Sequence, residues 1–297
     1  ENYINSSLTA GNQFNLNSGD DVNIISSNIL ASDINMLVAG DLNLESKQNT
    51  SSSKATSFSI GGGYSSSGGG SSGGANLSYS RSVSDRDWVD NQASIIGSNS
   101  VTINVGQNTN LTGSVIANIT NAYEIGLGSP CLRGSSSCQN NLSGRAMGFN
   151  NAIDGSNLTL NTGSLTYTNL YDSDFARSFG IGVGGNLRSG GKGSASLSLD
   201  YSMHDYKQTT NSVIGSGNIK TGTTLNLDSN NNLISVNGGT SIEQIISDAE
   251  VIRNNLISQG SIDPITGEII AREPTASEQT IINEATRLGN LTRNITQ

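Results

Sequence analysis

Four short phrases near the N-terminus share one form: Phe14-Asn15-Leu16, Val22-Asn23-Ile24, Ile34-Asn35-Met36 and Leu42-Asn43-Leu44. A shift of 20 residues lays the first two over the last two, Phe14 on Ile34, Leu16 on Met36, Val22 on Leu42 and Ile24 on Leu44. Apolar-polar-apolar reads as a very short strand, its outer side chains on one face and its Asn on the other. Gly, Asn, Asp and Ser fill the intervals, and these are the residues that turn a chain. A strand this short cannot bury its own face. A fixed period of about 20 residues therefore predicts successive turns of chain stacked in parallel register, with an apolar interior column and outward Asn ladders. The expected fold is all-β, a right-handed parallel β-helix. A β-sandwich of hairpins also spaces its strands evenly, but it calls for longer alternations than these.

The phrase returns in Val101–Asn118, Ser156–Leu170 and Thr223–Val236, so the coils are expected to span residues 1–240 with two interruptions. The first interruption, about residues 52–90, alternates Phe58 and Ile60 with Ser, passes Tyr64 and a Gly/Ser tract, then alternates Leu77, Tyr79 and Val83. The second, about residues 173–210, carries Phe179, Ile181 and Val183 on one arm and Leu197, Leu199, Tyr201 and Met203 on the other. Each reads as a two-stranded hairpin with one apolar face. Phe58 matches Phe179 and Leu77 matches Leu197, at offsets of 121 and 120, and Ser94–Ser100 matches Ser212–Asn218 at 118. The middle of the chain is thus a duplication, each copy being coils plus a hairpin. An isolated hairpin is marginal in water, so its apolar face needs a cover. That cover is either the flank of the coils or a lipid or protein partner. The residues that would make such a contact are Phe58, Ile60, Tyr64, Leu77, Tyr79, Phe179, Ile181, Val183, Leu197, Leu199 and Tyr201.

After Gly239 the periodicity changes to that of a helix, and residues 241–297 are expected to be a helical cap or linker. Ile242, Ile245, Ile246, Ala249, Ile252, Leu256 and Ile257 share one helical face behind a capping pair, Ser241 and Gln244. Thr275 and Glu278 cap a second stripe of Ile281, Ile282, Ala285 and Leu288.

Composition narrows the function. Only 33% of the chain is hydrophobic and 13% charged, with 36 Gly and 3 Pro. Disordered chains combine low hydrophobicity with high charge and much Pro, and this chain has neither. Its net charge of −9 argues against nucleic acid and against simple adsorption to an anionic membrane. The absence of an initiator Met and of a signal peptide suggests a piece of something longer. Cys131 and Cys138 stand close enough in sequence to close a short disulfide loop, as in an oxidising compartment. Two Cys and the distant His204 are too few ligands for zinc, and no cofactor is implied.

Polysaccharide lyases and hydrolases also use β-helices, and their sites need clustered carboxylates on one face of the coils. Here Asp20, Asp21, Asp33 and Asp41 fall mostly in turns, where Asp commonly caps backbone groups. The dense segment Ser84–Asp90 has no partner His. The Gly-rich run Gly61–Gly70 is followed by no Lys and opens no helix, so it is no phosphate loop. The chain reads as non-enzymatic.

Gly106–Asn118, Thr162–Asp172 and the Gln208–Asn218 segment that follows the second hairpin resemble the filamentous haemagglutinin repeats of two-partner-secreted bacterial exoproteins. They are most similar to the second haemagglutinin-repeat region of contact-dependent growth-inhibition toxin proteins. The resemblance covers roughly residues 1–240, and the cysteine loop lies outside its pattern. It implies a long filament at the bacterial cell surface, of which this chain is one monomeric stretch, exported through a partner outer-membrane transporter. In the growth-inhibition proteins this region is associated with the target cell's outer membrane and helps a C-terminal toxin to enter. In plain adhesins of the family, similar repeats serve as shaft and as contact with host glycan or protein. The hairpins are the expected contact with a membrane or surface receptor.

Overall fold

The computed structural model describes residues 1–67, 70–122, 152–262 and 269–293. Two compact units emerge, one of residues Ile4–Lys47, Val89–Leu170 and Thr210–Gln297, the other of Glu1–Tyr3, Gln48–Trp88 and Tyr171–Thr209. Cys131 and Cys138 lie outside the described residues.

The larger unit opens with β1 (Ser6–Thr9), β2 (Gln13–Ser18) and β3 (Val22–Ile25). The longer β4 (Ser27–Val38) pairs in parallel with both β1 and β2, and β5 (Leu42–Glu45) pairs in parallel with β3. All four residue pairs of the 20-residue shift, Phe14 with Ile34, Leu16 with Met36, Val22 with Leu42 and Ile24 with Leu44, are partners in these ladders. β6 (Asn49–Ser67) and β7 (Gly70–Trp88) belong to the smaller unit, and the parallel stack resumes with β8 (Ser94–Val105) and β9 (Asn108–Thr112). β10 (Val115–Asn118), β11 (Leu158–Asn161) and β12 (Ser164–Thr168) make the next turn. β13 (Leu170–Arg188) and β14 (Lys192–Thr210) again belong mostly to the smaller unit, after which β15 (Val213–Ile214) and β16 (Gly217–Leu227) return to the stack. Both excursions therefore leave after the third strand of one turn and re-enter at the first strand of the next.

The parallel ladders align apolar residues into columns. One runs Leu16–Met36–Ile103–Leu160–Ile219, a second Leu8–Ile29–Ile95–Ile116–Ile214, and a third Ile24–Leu44–Leu111–Tyr167. Away from the column ends these side chains are buried in one cluster. Each buried Leu or Ile contributes roughly 1.5–3 kcal/mol of apolar transfer free energy, so a thin interior suffices only because the columns are continuous. Leu30, Ile96, Val115, Ala117, Ile119 and Val213 form a second, smaller cluster.

Outside the columns the polar residues form ladders of their own. Asn43 Nδ2 donates to Asn23 Oδ1 at 2.9 Å, and Asn110 Nδ2 to Asn43 Oδ1 at 2.8 Å, while Thr166 Oγ1 donates to Asn110 Oδ1. Asn35 donates to Asn15 and Asn161 to Asn104 in the same way. An amide carries both donor and acceptor, so identical residues can bond in file along a parallel stack. The corner between second and third strands brings backbones very close. A Cβ at Gly106 would collide with the Ala39 carbonyl, and one at Gly163 would meet the Gln107 carbonyl at 2.6 Å.

The stack does not stay parallel to its end. The phrase in Thr223–Val236 makes no further coil, because β17 (Leu233–Ser241) returns antiparallel to β16. The Asp228 carboxylate accepts from the backbone N–H of Asn230 and of Asn232, both at 2.8 Å, and Asn231 takes a left-handed φ of 59°. That turn chemistry reverses the chain, and it outweighs the repeat. Among the described residues the fold is all-β with two helices, its sheets partly parallel and partly antiparallel.

Helix α1 (Ile242–Ser258) is capped by Ser241, whose Oγ accepts from Gln244 N at 3.0 Å. Its Ile242 is buried in the main apolar cluster, with Ile245 and Ile246 packed against it. β18 (Ser261–Ile262) and β19 (Ile269–Ile270) pair antiparallel before α2 (Ala276–Arg293), and Arg253 of α1 donates to Thr286 of α2 at 3.3 Å. Thr275 and Glu278 complete a reciprocal cap: Thr275 N donates to Glu278 Oε2 at 2.8 Å and Glu278 N to Thr275 Oγ1 at 3.4 Å. The Arg272 guanidinium also grips Glu278, and with the Thr275 donors it lowers the carboxyl from 4.5 to about 2. A depressed folded-state pKa stabilises above the unfolded value and stops doing so as pH falls through the folded one. The helical signal of α2 is therefore expected to hold above pH 4.5 and to decline toward pH 2. Glu278→Gln should remove that acid transition in far-ultraviolet circular dichroism.

Candidate functional site

The smaller unit is a four-stranded antiparallel sheet in the order β14-β13-β7-β6. Each of these strands is 19 residues long. Hairpin β6–β7 and hairpin β13–β14 join edge to edge through β7 and β13, from Ser173–Asp87 to Arg188–Ser72. The two hairpins expected as separate insertions thus make one sheet.

Register sorts the side chains into rows. Phe58, Tyr79 and Ile181 lie abreast, as do Ile60, Leu77 and Val183. A Cβ at Gly182 would lie 2.5 Å from Ser198 Oγ, and one at Gly184 would lie 2.9 Å from Ser196 Oγ, so Ile181 stands beside Leu199 and Val183 beside Leu197. Period-two alternation then puts these large apolar residues on one face. Phe179 and Tyr201 continue it on one side, and Tyr64 and Leu187 on the other. The opposite face is mostly Ser and Gly, with Asn76, Asn186 and Asp200 among them. Ser57 and Ser80 share a hydrogen bond of 2.8 Å and Ser59 and Ser78 one of 2.9 Å, with Gly180 and Gly182 beside them.

All eleven residues singled out as candidate contacts lie in this sheet, on one face. They are exposed, from 37% for Tyr79 and Ile181 to 76% for Tyr64. Leu187 at 73% and Met203 at 55% complete the face. Leu187 escaped the sequence reading because Gly184-Gly185 interrupts the alternation that would have marked it. An exposed contiguous apolar patch of this kind is a candidate interaction surface.

On the apolar face charge is confined to the hairpin bases. Arg177 lies 5.7 Å from the centre of the Tyr201 ring, and Lys54 and Arg81 share rows with Val83 and Phe179. Asp174 takes Arg86 at 3.5 Å and His204 at 3.2 Å, and the His204 ring stacks on Tyr206 at 5.3 Å. The buried Asp172 carboxylate accepts from Gln48 and Gln208, each at 2.8 Å.

Three of the four carboxylates weighed for catalysis are occupied in bonds along the stack, Asp21 and Asp41 at corners and Asp33 within β4. Asp21 accepts from Asp41 N, and Asp41 accepts from both the backbone and side-chain nitrogens of Asn108. Asp33 accepts from Ser100 and Asn99, which hold its carboxyl below the usual range. Each stitches one turn to the next.

Fold and site together define a repeat-built β protein whose most distinctive surface is an open apolar sheet. Residues 1–60 and 49–122 match the model of the hemagglutinin repeat. The match supports a filamentous-haemagglutinin-type repeat in this part of the chain, as found in two-partner-secreted, adhesin-like surface proteins. No curated protein and no solved structure matches the chain. Among the described residues no helix is long and apolar enough to cross a membrane, which says nothing of strands.

Proposed function

We propose that this chain is a non-enzymatic segment of a large filament at the bacterial cell surface, exported through a two-partner secretion transporter. Outside the hairpins its parallel-stacked turns, from Ser6 to about Lys220, fold as a right-handed parallel β-helix, and its four-stranded sheet is the working surface. That sheet meets a target cell's outer membrane and helps a toxin carried elsewhere in the filament to cross, as in contact-dependent growth inhibition. The single observation carrying this reading is the exposed apolar face running from Phe58 and Ile60 to Leu197 and Leu199. With a net charge of −9, attraction to anionic headgroups does not draw the chain to lipid, so apolar contact must.

The test is flotation of the purified chain with outer-membrane lipid vesicles, beside a variant with both hairpins replaced by short turns and its β-structure verified by circular dichroism. The native chain is expected to float and the trimmed one to stay below. If neither floats, the segment is instead a shaft or an adhesin that binds host glycan or protein.

A further inference from the structure

An apolar face explains attraction to lipid, but it does not complete a structure that can enter one. In the hydrocarbon every backbone N–H and C=O needs a partner, and a four-stranded open sheet has two edges. Near the hairpin base the outer edge of β6 is bonded, the Thr50 N–H donating to the Glu1 carbonyl at 2.9 Å and the Thr50 carbonyl accepting from the Glu1 amine at 2.8 Å. That bonding fixes the parity of the edge. The β6–β7 register runs without a shift from Asn49 to Ser67, so the even residues Thr56, Phe58, Ile60 and Gly62 also direct their backbone groups outward. The distal part of β6 has no charge and no Pro, the devices that normally protect an edge.

The height of the apolar band fits a bilayer. From the Thr56 row to the Tyr64 row is about nine residues, close to the 9–11 of a membrane strand and near a ~25 Å band. No charged side chain lies on the apolar face between those limits, and Arg81 stands at the boundary row. Aromatic residues mark both ends, Tyr201 and Phe179 below and Tyr64 above. The other face carries Ser, Gly, Asn76 and Asn186, with Asp200 beside Gly180. Apolar outside and small polar inside, in strict alternation, is the pattern of a barrel wall.

We propose that several copies of this chain join these sheets edge to edge, β6 of one against β14 of the next, and close a transmembrane β-barrel with the Ser/Gly face lining water. This rests on the membrane-contact reading and adds its assembly. β6 and β14 run in opposite directions at the two edges of the sheet, so the head-to-tail joint is antiparallel and a ring leaves no free edge. Two copies give eight strands, and three give twelve.

The full chain is added to dye-loaded vesicles of phosphatidylethanolamine and phosphatidylglycerol, and binding, dye release and oligomer size are measured on the same samples. Release should rise more steeply than the first power of bound protein, with a multimer recovered in mild detergent. Gly62→Pro removes one outward donor without touching the β6–β7 ladder, so it should leave binding intact and cut release at least tenfold. Ser198→Lys, on the water-lined face, should move the reversal potential of the conductance toward anions. Binding as a monomer without release overturns the assembly and leaves the contact reading standing. Failure to bind at all overturns both. Unchanged release by Gly62→Pro with an intact fold also overturns the assembly.

Discussion

Changing Ile60, Leu77, Val183 and Leu197 together to Ser should abolish vesicle flotation while leaving the chain folded. These four side chains form one complete row across the sheet, and all are already exposed, so their loss opens no cavity. Moving each from water into lipid is worth about 1 kcal/mol, less than for a fully buried side chain because part of each already contacts its neighbours. Four such losses amount to about 4 kcal/mol, roughly a thousandfold in partitioning. Urea unfolding should show the same midpoint for variant and native chain. A variant that floats as well as the native chain would mean that this face is not the lipid contact.

Ile103→Ala acts in the opposite way, on stability. Ile103 is fully buried at the centre of the column between Met36 and Leu160. Truncation there removes transfer free energy and leaves a cavity that a stack pinned above and below cannot collapse, so a loss of about 2–5 kcal/mol is expected. The outward Asn43→Ala change removes two ladder hydrogen bonds at a half-buried site, with an expected cost of about 1 kcal/mol. Urea midpoints of the two variants measure the difference. Similar losses would contradict the division into an apolar interior and an outer polar ladder.

Much of the stack was legible because its physics is local and periodic. A period of 20 with an apolar residue on each side of an Asn leaves one way to bury the apolar residues, and the ladders pair Phe14 with Ile34 and Ile24 with Leu44 as that shift requires. What escaped was decided by chemistry outside the period. Leu225-Asn226-Leu227 carries the phrase, yet Asp228 and Asn231 turn the chain back and make it one arm of an antiparallel hairpin. The duplication drifted too. Sequence similarity aligns Ser94 with Ser212, whereas the ladders stack Ile95 on Ile116 and Ile116 on Ile214, one residue away.

In the candidate site, alternation in Phe58–Ile60 and Leu197–Tyr201 revealed each hairpin's face. It could not reveal that β7 and β13 pair, since that register joins residues about a hundred apart through Gly and Ser, which carry little pairing preference. The consequence is large, because two narrow faces become one broad one.

The most direct test places an environment-sensitive fluorophore on two neighbouring residues that face opposite ways. Phe58→Cys and Ser59→Cys are each labelled, in chains where Cys131 and Cys138 are Ser, and mixed with vesicles containing a quencher in the lipid chains. The expected result is a blue shift and strong quenching at position 58, with neither at position 59. Equal response at both positions, or a response at 59 alone, would contradict the claim that the apolar face of the sheet is what meets lipid.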